Sequence, residues 1–255
     1  MILKKTAWKY NCNSIPEKDA DEDELEDKAV ELSAIAGGSL VHSLFTGGID
    51  LSQEELVTPL SLHLPKVYSR RHLLFTSAPF LPMMLLSSEE LLNLKGIQCL
   101  EGLTLLFENG ELDKTTLEDM YFRRVLSAVT EHLLVKCPSK YIRCQATIWI
   151  KNMSPKFDVV ARFFFIRGLF YSSRHSGFRG FVLTYLLKPQ MQAALKAKDE
   201  LVRSSSSPQK DEIATWFIGP SMKSWYSKIF SLPEGPETDL MQEQDTVMAA
   251  LNLLR

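Results

Sequence analysis

The sequence predicts an α+β fold: a single domain with a small antiparallel sheet packed by several amphipathic helices. Three observations carry that expectation. From Tyr141 to Ile150 the chain alternates, with Ile142, Cys144, Ala146, Ile148 and Ile150 on one side and Tyr141, Arg143, Gln145, Thr147 and Trp149 on the other. A period of two is that of a half-buried strand. Phe181 to Leu187 supplies a second strand candidate, beyond the polar, glycine-containing loop Ser172–Gly180. The remaining apolar residues recur mostly at helical spacing. With 255 residues, 45% hydrophobic and 24% charged, the chain can bury roughly 70–75% of its unfolded surface and needs no covalent staples.

Taken in order, the elements begin with an acidic leader. Between Glu17 and Glu31 nine acids face two lysines, a solvated helix face or a docking site for a basic partner. Leu25, Ala29, Leu32 and Ala36 follow at helical spacing, and Gly37-Gly38 is expected to stop that helix. Residues 57–86, with Pro59, Pro65, Pro79 and Pro82, read as irregular connections. Ser88 is placed to cap a short helix through Leu94, ending at Gly96. Thr115 and Glu118 have capping-box spacing for a helix to Lys136, closed by Cys137-Pro138. Its apolar face would be Leu117, Met120, Tyr121, Val125, Ala128, Val129 and Val135. Asn152-Met-Ser-Pro reads as a turn. Residues 158–166 suit a helix or a buried strand equally. Gln190 to Arg203 is a helix by propensity. Ser204-Ser-Ser-Ser-Pro breaks it, and a last amphipathic helix from Glu237 to Leu254 puts Leu240, Val247, Met248, Leu251 and Leu254 in register. The organisation expected is therefore an acidic leader and helix (1–36), an α+β core (37–203), a Ser-rich mobile linker (204–210), and an aromatic segment with a C-terminal helix packing on the core (211–255).

Catalytic chemistry finds little footing. Cys12, Cys99, Cys137 and Cys144 are too few and scattered for a disulfide framework, which favours a reduced, intracellular setting. The five histidines have no two at ligand spacing on a helix. Gly37-Gly38 and Gly47-Gly48 fit neither a dinucleotide fingerprint nor a phosphate loop, and no Gly-x-Ser-x-Gly elbow occurs. No cofactor, no metal and no enzymatic activity are expected. The start of the chain lacks the features of a signal peptide. The longest uncharged apolar run, Leu73–Leu86, is interrupted by prolines and too short to span a bilayer.

The sharpest feature is the stretch Ser139–Lys188. It carries nine Lys or Arg against one acid, Asp158, a local net of +8 in a chain whose net charge is −2. Seven Phe, three Tyr and Trp149 share it. A positive field beside aromatic rings suits an anionic surface. The residues proposed to meet it are Arg162, Arg167, Arg174, His175, Arg179 and Lys188, with Tyr171, Phe178, Trp225 and Tyr226 as aromatic contacts. The alternative places Phe163–Phe165 in the core and leaves the arginines to solvate a loop. Trp216-Phe217-Ile218 and Trp225-Tyr226 likewise suit either core packing or an exposed anchor.

The order of these pieces (strand 141–150, the turn Asn152-Met-Ser-Pro-Lys-Phe-Asp, an apolar segment, then a Gly/Arg/Phe loop running into Phe181-Val-Leu-Thr-Tyr-Leu) resembles the central part of rhabdovirus matrix proteins. The resemblance implies a small α+β structural protein of the virion that self-associates, coats the inner face of the membrane and condenses ribonucleoprotein. This chain departs from that pattern in its acidic leader and in lacking Pro-Pro-x-Tyr and Pro-Thr-Ala-Pro. Two functions follow. One is a matrix-like, non-enzymatic protein that binds membrane or ribonucleoprotein as a homo-oligomer, at the membrane periphery or in the nucleus and cytoplasm. The other is an adaptor or complex subunit that docks protein partners through its acidic leader and aromatic patches.

Overall fold

A computed structural model describes residues 33, 35–42, 67–203, 208–232 and 234–254. Among them the chain is helical throughout, with no strand or sheet; one isolated parallel bridge joins Leu112 to Phe157. The expected α+β fold is therefore corrected to an all-helical one. Helices α1 (Arg70–Ser77), α2 (Leu81–Leu85) and α3 (Glu90–Leu105) come first, followed by α4 (Lys114–Glu118) and α5 (Met120–Ser127). A π-helical stretch, Ala128–Lys136, continues α5 without a break. Then come α6 (Lys140–Met153), α7 (Val159–Ser172) and α8 (Ser176–Phe181). A second π-helical stretch, Val182–Leu187, joins α8 to α9 (Lys188–Arg203), and α10 (Pro208–Phe217), α11 (Pro220–Ile229) and α12 (Gln244–Leu253) complete the array.

The supposed strand 141–150 lies inside α6. Its buried residues are Ile142, Ala146, Trp149, Ile150 and Met153, spaced four, three, one and three apart as a helix face requires. Cys144 and Ile148, assigned to the buried side of the strand, are exposed. The alternation was a coincidence of a helical face with extra apolar residues outside it. The second strand candidate, Phe181–Leu187, is likewise helical. Val182, Leu183, Leu186 and Leu187 face the core while Thr184 and Tyr185 face solvent, a helical stripe too short to be told from a buried strand by its apolar content.

Other expectations move with the packing. Pro82 sits in the first turn of α2, where its missing N–H costs nothing, so residues 70–85 are helical rather than irregular. Residues 57–66 lie outside the described residues. α3 runs straight through Gly96 to Leu105. The helix expected from Thr115 is two. Asp113 caps α4 through the amide of Thr115, and Asp119, with extended backbone, caps α5 through Phe122. Gly37 and Gly38 do not stop their helix, which spans residues 35–42. A Cβ on Gly37 would meet the Phe80 ring at 2.5 Å, and one on Gly38 the Met84 sulfur at 2.5 Å. The pair is there for close approach to α2 and the turn before it.

One core cluster takes in residues from Val41 to Leu253. Its aromatic centre is Phe163 on α7, ringed by Phe164, Trp216, Phe217 and Trp225 at centroid distances of 5.4–5.8 Å. Farther along, Trp149 donates its indole N–H to the Thr104 hydroxyl (2.9 Å), which itself donates to the Leu100 carbonyl. Burial pushes the Cys99 thiol up to about 12, whereas Cys144 is exposed. Since the thiolate is the reactive form, maleimide applied to the folded protein at neutral pH should modify Cys144 and spare Cys99 and Cys137. Peptide mapping by mass spectrometry checks this, and equal labelling of all three would contradict the packing.

An ionic clasp ties α1 to the segment leading into α4. Arg70 pairs with Glu111 at 2.9 Å, and Arg71 with Asp113. The Thr115 hydroxyl first, and then the Arg71 guanidinium, hold the Asp113 carboxyl below the usual carboxylate range. A depressed folded pKa gives stability that is present above the unfolded value and lost as pH falls through the folded one. Both partners are more than a third exposed, so the effect is small, about 1 kcal/mol at most. Asp113→Asn should remove that part of the acid-induced loss in melting temperature, as read by denaturation scans between neutral pH and pH about 3.

Candidate interaction surface

The basic, aromatic stretch has a structural use that only the helices explain. Every α-helix ends with carbonyls that have no partner within it, and cations are favoured at that negative end. Arg143 donates to the carbonyls of Cys137 (2.6 Å) and Pro138 (2.8 Å), just past the first π-helical stretch. Lys156 reaches Phe107, beyond the end of α3, at 2.7 Å. Arg179 donates to Ser173 at 2.9 Å, at the end of α7. Lys188 donates to Asn252 at 2.7 Å, near the end of α12. Arg162 fills a cradle, donating to the carbonyls of Ser154, Pro155 and Phe157 at 2.8–3.2 Å and to the Gln190 side chain. Burial lowers the pKa of its guanidinium, partly offset by Asp158.

Among the other cations, Arg167 lies 5.9 Å from the Tyr171 ring and Lys151 4.1 Å from that of Tyr185, positions that favour cation–π attraction. Arg179 also covers Phe170 at 5.3 Å. Arg174 is exposed and makes no ion pair or hydrogen bond with a described residue. His175 caps α8, its Nδ1 accepting from Phe178. Of the aromatic contacts, Phe178 and Trp225 are buried; the Trp225 indole nitrogen has no hydrogen-bond partner among the described residues. Tyr226 is half-buried against Phe230, and burial raises its hydroxyl pKa. Tyr171 is exposed.

Tyr171 and Arg179 come together with residues of α11, the turn after it and α12. An open groove of about 430 Å³ lies between the end of α7, the turn after α11 and α12. Phe170 and Tyr171 form one wall, Ile229, Phe230 and Leu232 the floor and second wall, and Leu240, Val247 and Leu251 the third. Lys228 and Arg179 stand on the α11 and α8 side, Glu243 on the α12 side. In its lining Leu240 is 58% exposed and Leu251 53%, and along α12 and the turn before it Met241, Met248 and Leu254 are exposed as well.

That exposure follows from how α12 is seated. It turns Thr246, Ala249, Ala250 and Leu253 inward. Opposite lies α8 with Gly177 and Gly180, and a Cβ on Gly180 would stand 2.9 Å from the Asp245 carbonyl oxygen. Gly180 lets the two backbones come together there, and the larger side chains Met248, Leu251 and Leu254 are left outside, with Val247 half-buried. A helix with a small apolar stripe and a large one has two surfaces to cover.

No protein-family model matches the chain. It is similar to human glomulin, with 29% identity over 252 residues. The aligned part is 99% of this chain and 36% of that protein. Mouse glomulin matches to the same extent. The chain thus spans about a third of the length of the curated relatives it matches. This overturns the resemblance to rhabdovirus matrix proteins and the virion assignment that followed from it. The likeness to mammalian glomulin runs along the whole chain, whereas the matrix-like texture covered about fifty residues and depended on strands that are helices. No helix among the described residues is long and apolar enough to cross a membrane.

Proposed function

We propose that this chain is a non-enzymatic protein-interaction module, acting as an adaptor or complex subunit whose docking face is the apolar groove beside α12. The observation that carries this reading is an apolar groove whose lining includes the exposed side chains Tyr171, Phe230, Leu240 and Leu251, with Met248 exposed on the same helix, α12. Scattered surface leucines are ordinary, but a contiguous apolar patch rimmed by charge is the signature of a protein–protein site. Tyr171 and Phe230 add aromatic contact area at the groove, the residue type that most often anchors an interface. The cations of residues 139–188 support it indirectly. With Arg143, Lys156, Arg162, Arg179 and Lys188 bonded to the chain's own carbonyls, fewer are left for a polyanion. The acidic leader, Glu17–Glu31, is a second contact suited to a basic partner.

The test is affinity capture from cells with the parent chain and the double variant Met248→Asp, Leu251→Asp. Both positions are exposed, so the variant should melt within a few degrees of the parent while losing partners that the parent retains. A folded variant that keeps every partner would remove the groove from the function.

A further inference from the structure

We propose that the exposed face of α6 is a docking surface for this chain's own acidic leader, Glu17–Glu31. The inference goes beyond the groove and does not depend on it. One side of α6 is spent on the core, through Ile142, Ala146, Trp149, Ile150 and Met153. On the opposite side Tyr141, Cys144, Ile148 and Lys151, spaced by three or four residues, form a second stripe, and all four are exposed. Tyr185 stands beside it, its ring 4.1 Å from the Lys151 ammonium, and is exposed as well.

Charge and tether select the occupant. α6 carries Lys140, Arg143 and Lys151 and no acid. Arg143 is taken up by the Cys137 and Pro138 carbonyls. Lys140 makes no ion pair or hydrogen bond with a described residue, and Lys151 meets only the rings of Phe181 and Tyr185. Those two lysines are about three turns apart and so lie along one flank of the stripe. Among the described helices that lack acids, only α6 repeats exposed apolar or thiol side chains along its length; α5 shows Met120 and Tyr121 at one end. A stripe flanked only by cations is complementary to an amphipathic segment flanked by carboxylates. The leader has that composition, with nine acids to two lysines and Leu25, Ala29 and Leu32 at helical spacing. It also begins close by. The helical residues 35–42 are held to α3 by His42 and Gln98 (2.9 Å), and α3 packs on α6, where Thr104 meets Trp149. Crossing from α3 to the far side of α6 takes about 15 Å. The fifteen residues of the leader cover about 22 Å as a helix and about 50 Å extended. A tethered segment meets its site at an effective concentration of about millimolar, an advantage that a separate acidic partner lacks. Exposed ion contacts are individually weak, so the docking is reversible. Cys144 stays open to reagent in the undocked fraction, and a basic partner competes with α6 for the leader.

The test is paramagnetic NMR on the full chain. A nitroxide is attached at Asn152→Cys, an exposed position one turn beyond Ile148, with Cys12→Ser and Cys144→Ser so that no other exposed thiol reacts; Cys99 and Cys137 are buried. The backbone amides of residues 22–32 should lose intensity relative to the same sample with the nitroxide reduced, and to the same extent at every protein concentration. Lys140→Glu with Lys151→Glu sets like charges against each other and should restore those intensities. Adding Glu24→Lys and Glu31→Lys to that variant should abolish them again, because the signs are then exchanged on both sides. That second loss belongs to a direct contact and would not follow from a general change in stability or net charge. Leader amides that ignore the nitroxide in the parent overturn the inference, as does a loss of intensity that survives the lysine reversal or does not return with the double exchange. A mixture of nitroxide-bearing chains with isotope-labelled chains that lack it should show no loss; a loss there gives the face to a neighbouring copy and also overturns it. Partner capture through Met248 and Leu251 is read separately in every case, so the two readings fail separately.

Discussion

Replacing Phe163 with alanine should destabilise the protein by about 3–5 kcal/mol, the cost of a large cavity in a packed core. Four aromatic rings face Phe163, from its own helix, α10 and α11, and edge-to-face contacts add to the area it buries. For a domain of this size the melting temperature should fall by roughly 6–20 °C. Leucine at the same position should recover part of the loss by filling some of the volume. Because Trp216 and Trp225 stand on either side, their fluorescence should report a loosened cluster even where the variant still folds. A Phe163→Ala variant as stable as the parent would mean that α10 and α11 do not pack on α7.

Arg162→Ala, one position earlier, should cost nearly as much for a different reason. Its guanidinium is the donor for three carbonyls at the turn between α6 and α7. Hydrogen bonds to a charged donor contribute about 1.5–3 kcal/mol each and are not additive, so a total loss of about 3–4 kcal/mol is expected. Lysine should restore little, since one ammonium cannot hold the planar fork that reaches several carbonyls. Arg174→Ala, in the same basic stretch but exposed and unbonded, should stay within about 0.5 kcal/mol of the parent. Urea unfolding of the three variants side by side decides it. Equal stabilities for Arg162→Ala and Arg174→Ala would show that the carbonyl cradle is not formed in solution.

Those two arginines show where residue type stops being informative. Both are cations in a stretch with a net charge of +8, flanked by Phe and Tyr. Nothing local distinguishes the one that holds a turn together from the one in solvent. Composition implied a binding face because it counts charges and not their partners. The missing information was which carbonyls at helix ends, some far along the chain such as those of Phe107 and Asn252, come within reach of these cations. Without the helices, Arg143, Lys156, Arg179 and Lys188 had no visible task inside the chain.

The sequence by itself determined the helix from Gln190 to Arg203, the break after Lys136 at Cys137-Pro138, and the end of the last helix near Leu254, although that helix, expected from Glu237, starts only at Gln244. These depend on propensity, proline chemistry and period, which act within a few residues. It also contained the pattern in α6, but ten alternating residues read as a strand. Only contact with α3 and the neighbouring π-helical stretch made Ile142, Ala146, Trp149 and Ile150 one buried face. The groove was decided wholly by tertiary structure. Met248 and Leu251 are as apolar as the core leucines, and period alone placed them on a buried stripe. They face outward because α12 turns Thr246, Ala249, Ala250 and Leu253 inward, and Gly180 on α8 lets the α12 backbone at Asp245 come closer than a larger side chain would allow. Which apolar face of a helix is covered depends on what stands opposite, and that is a property of pairs of segments far apart in the chain.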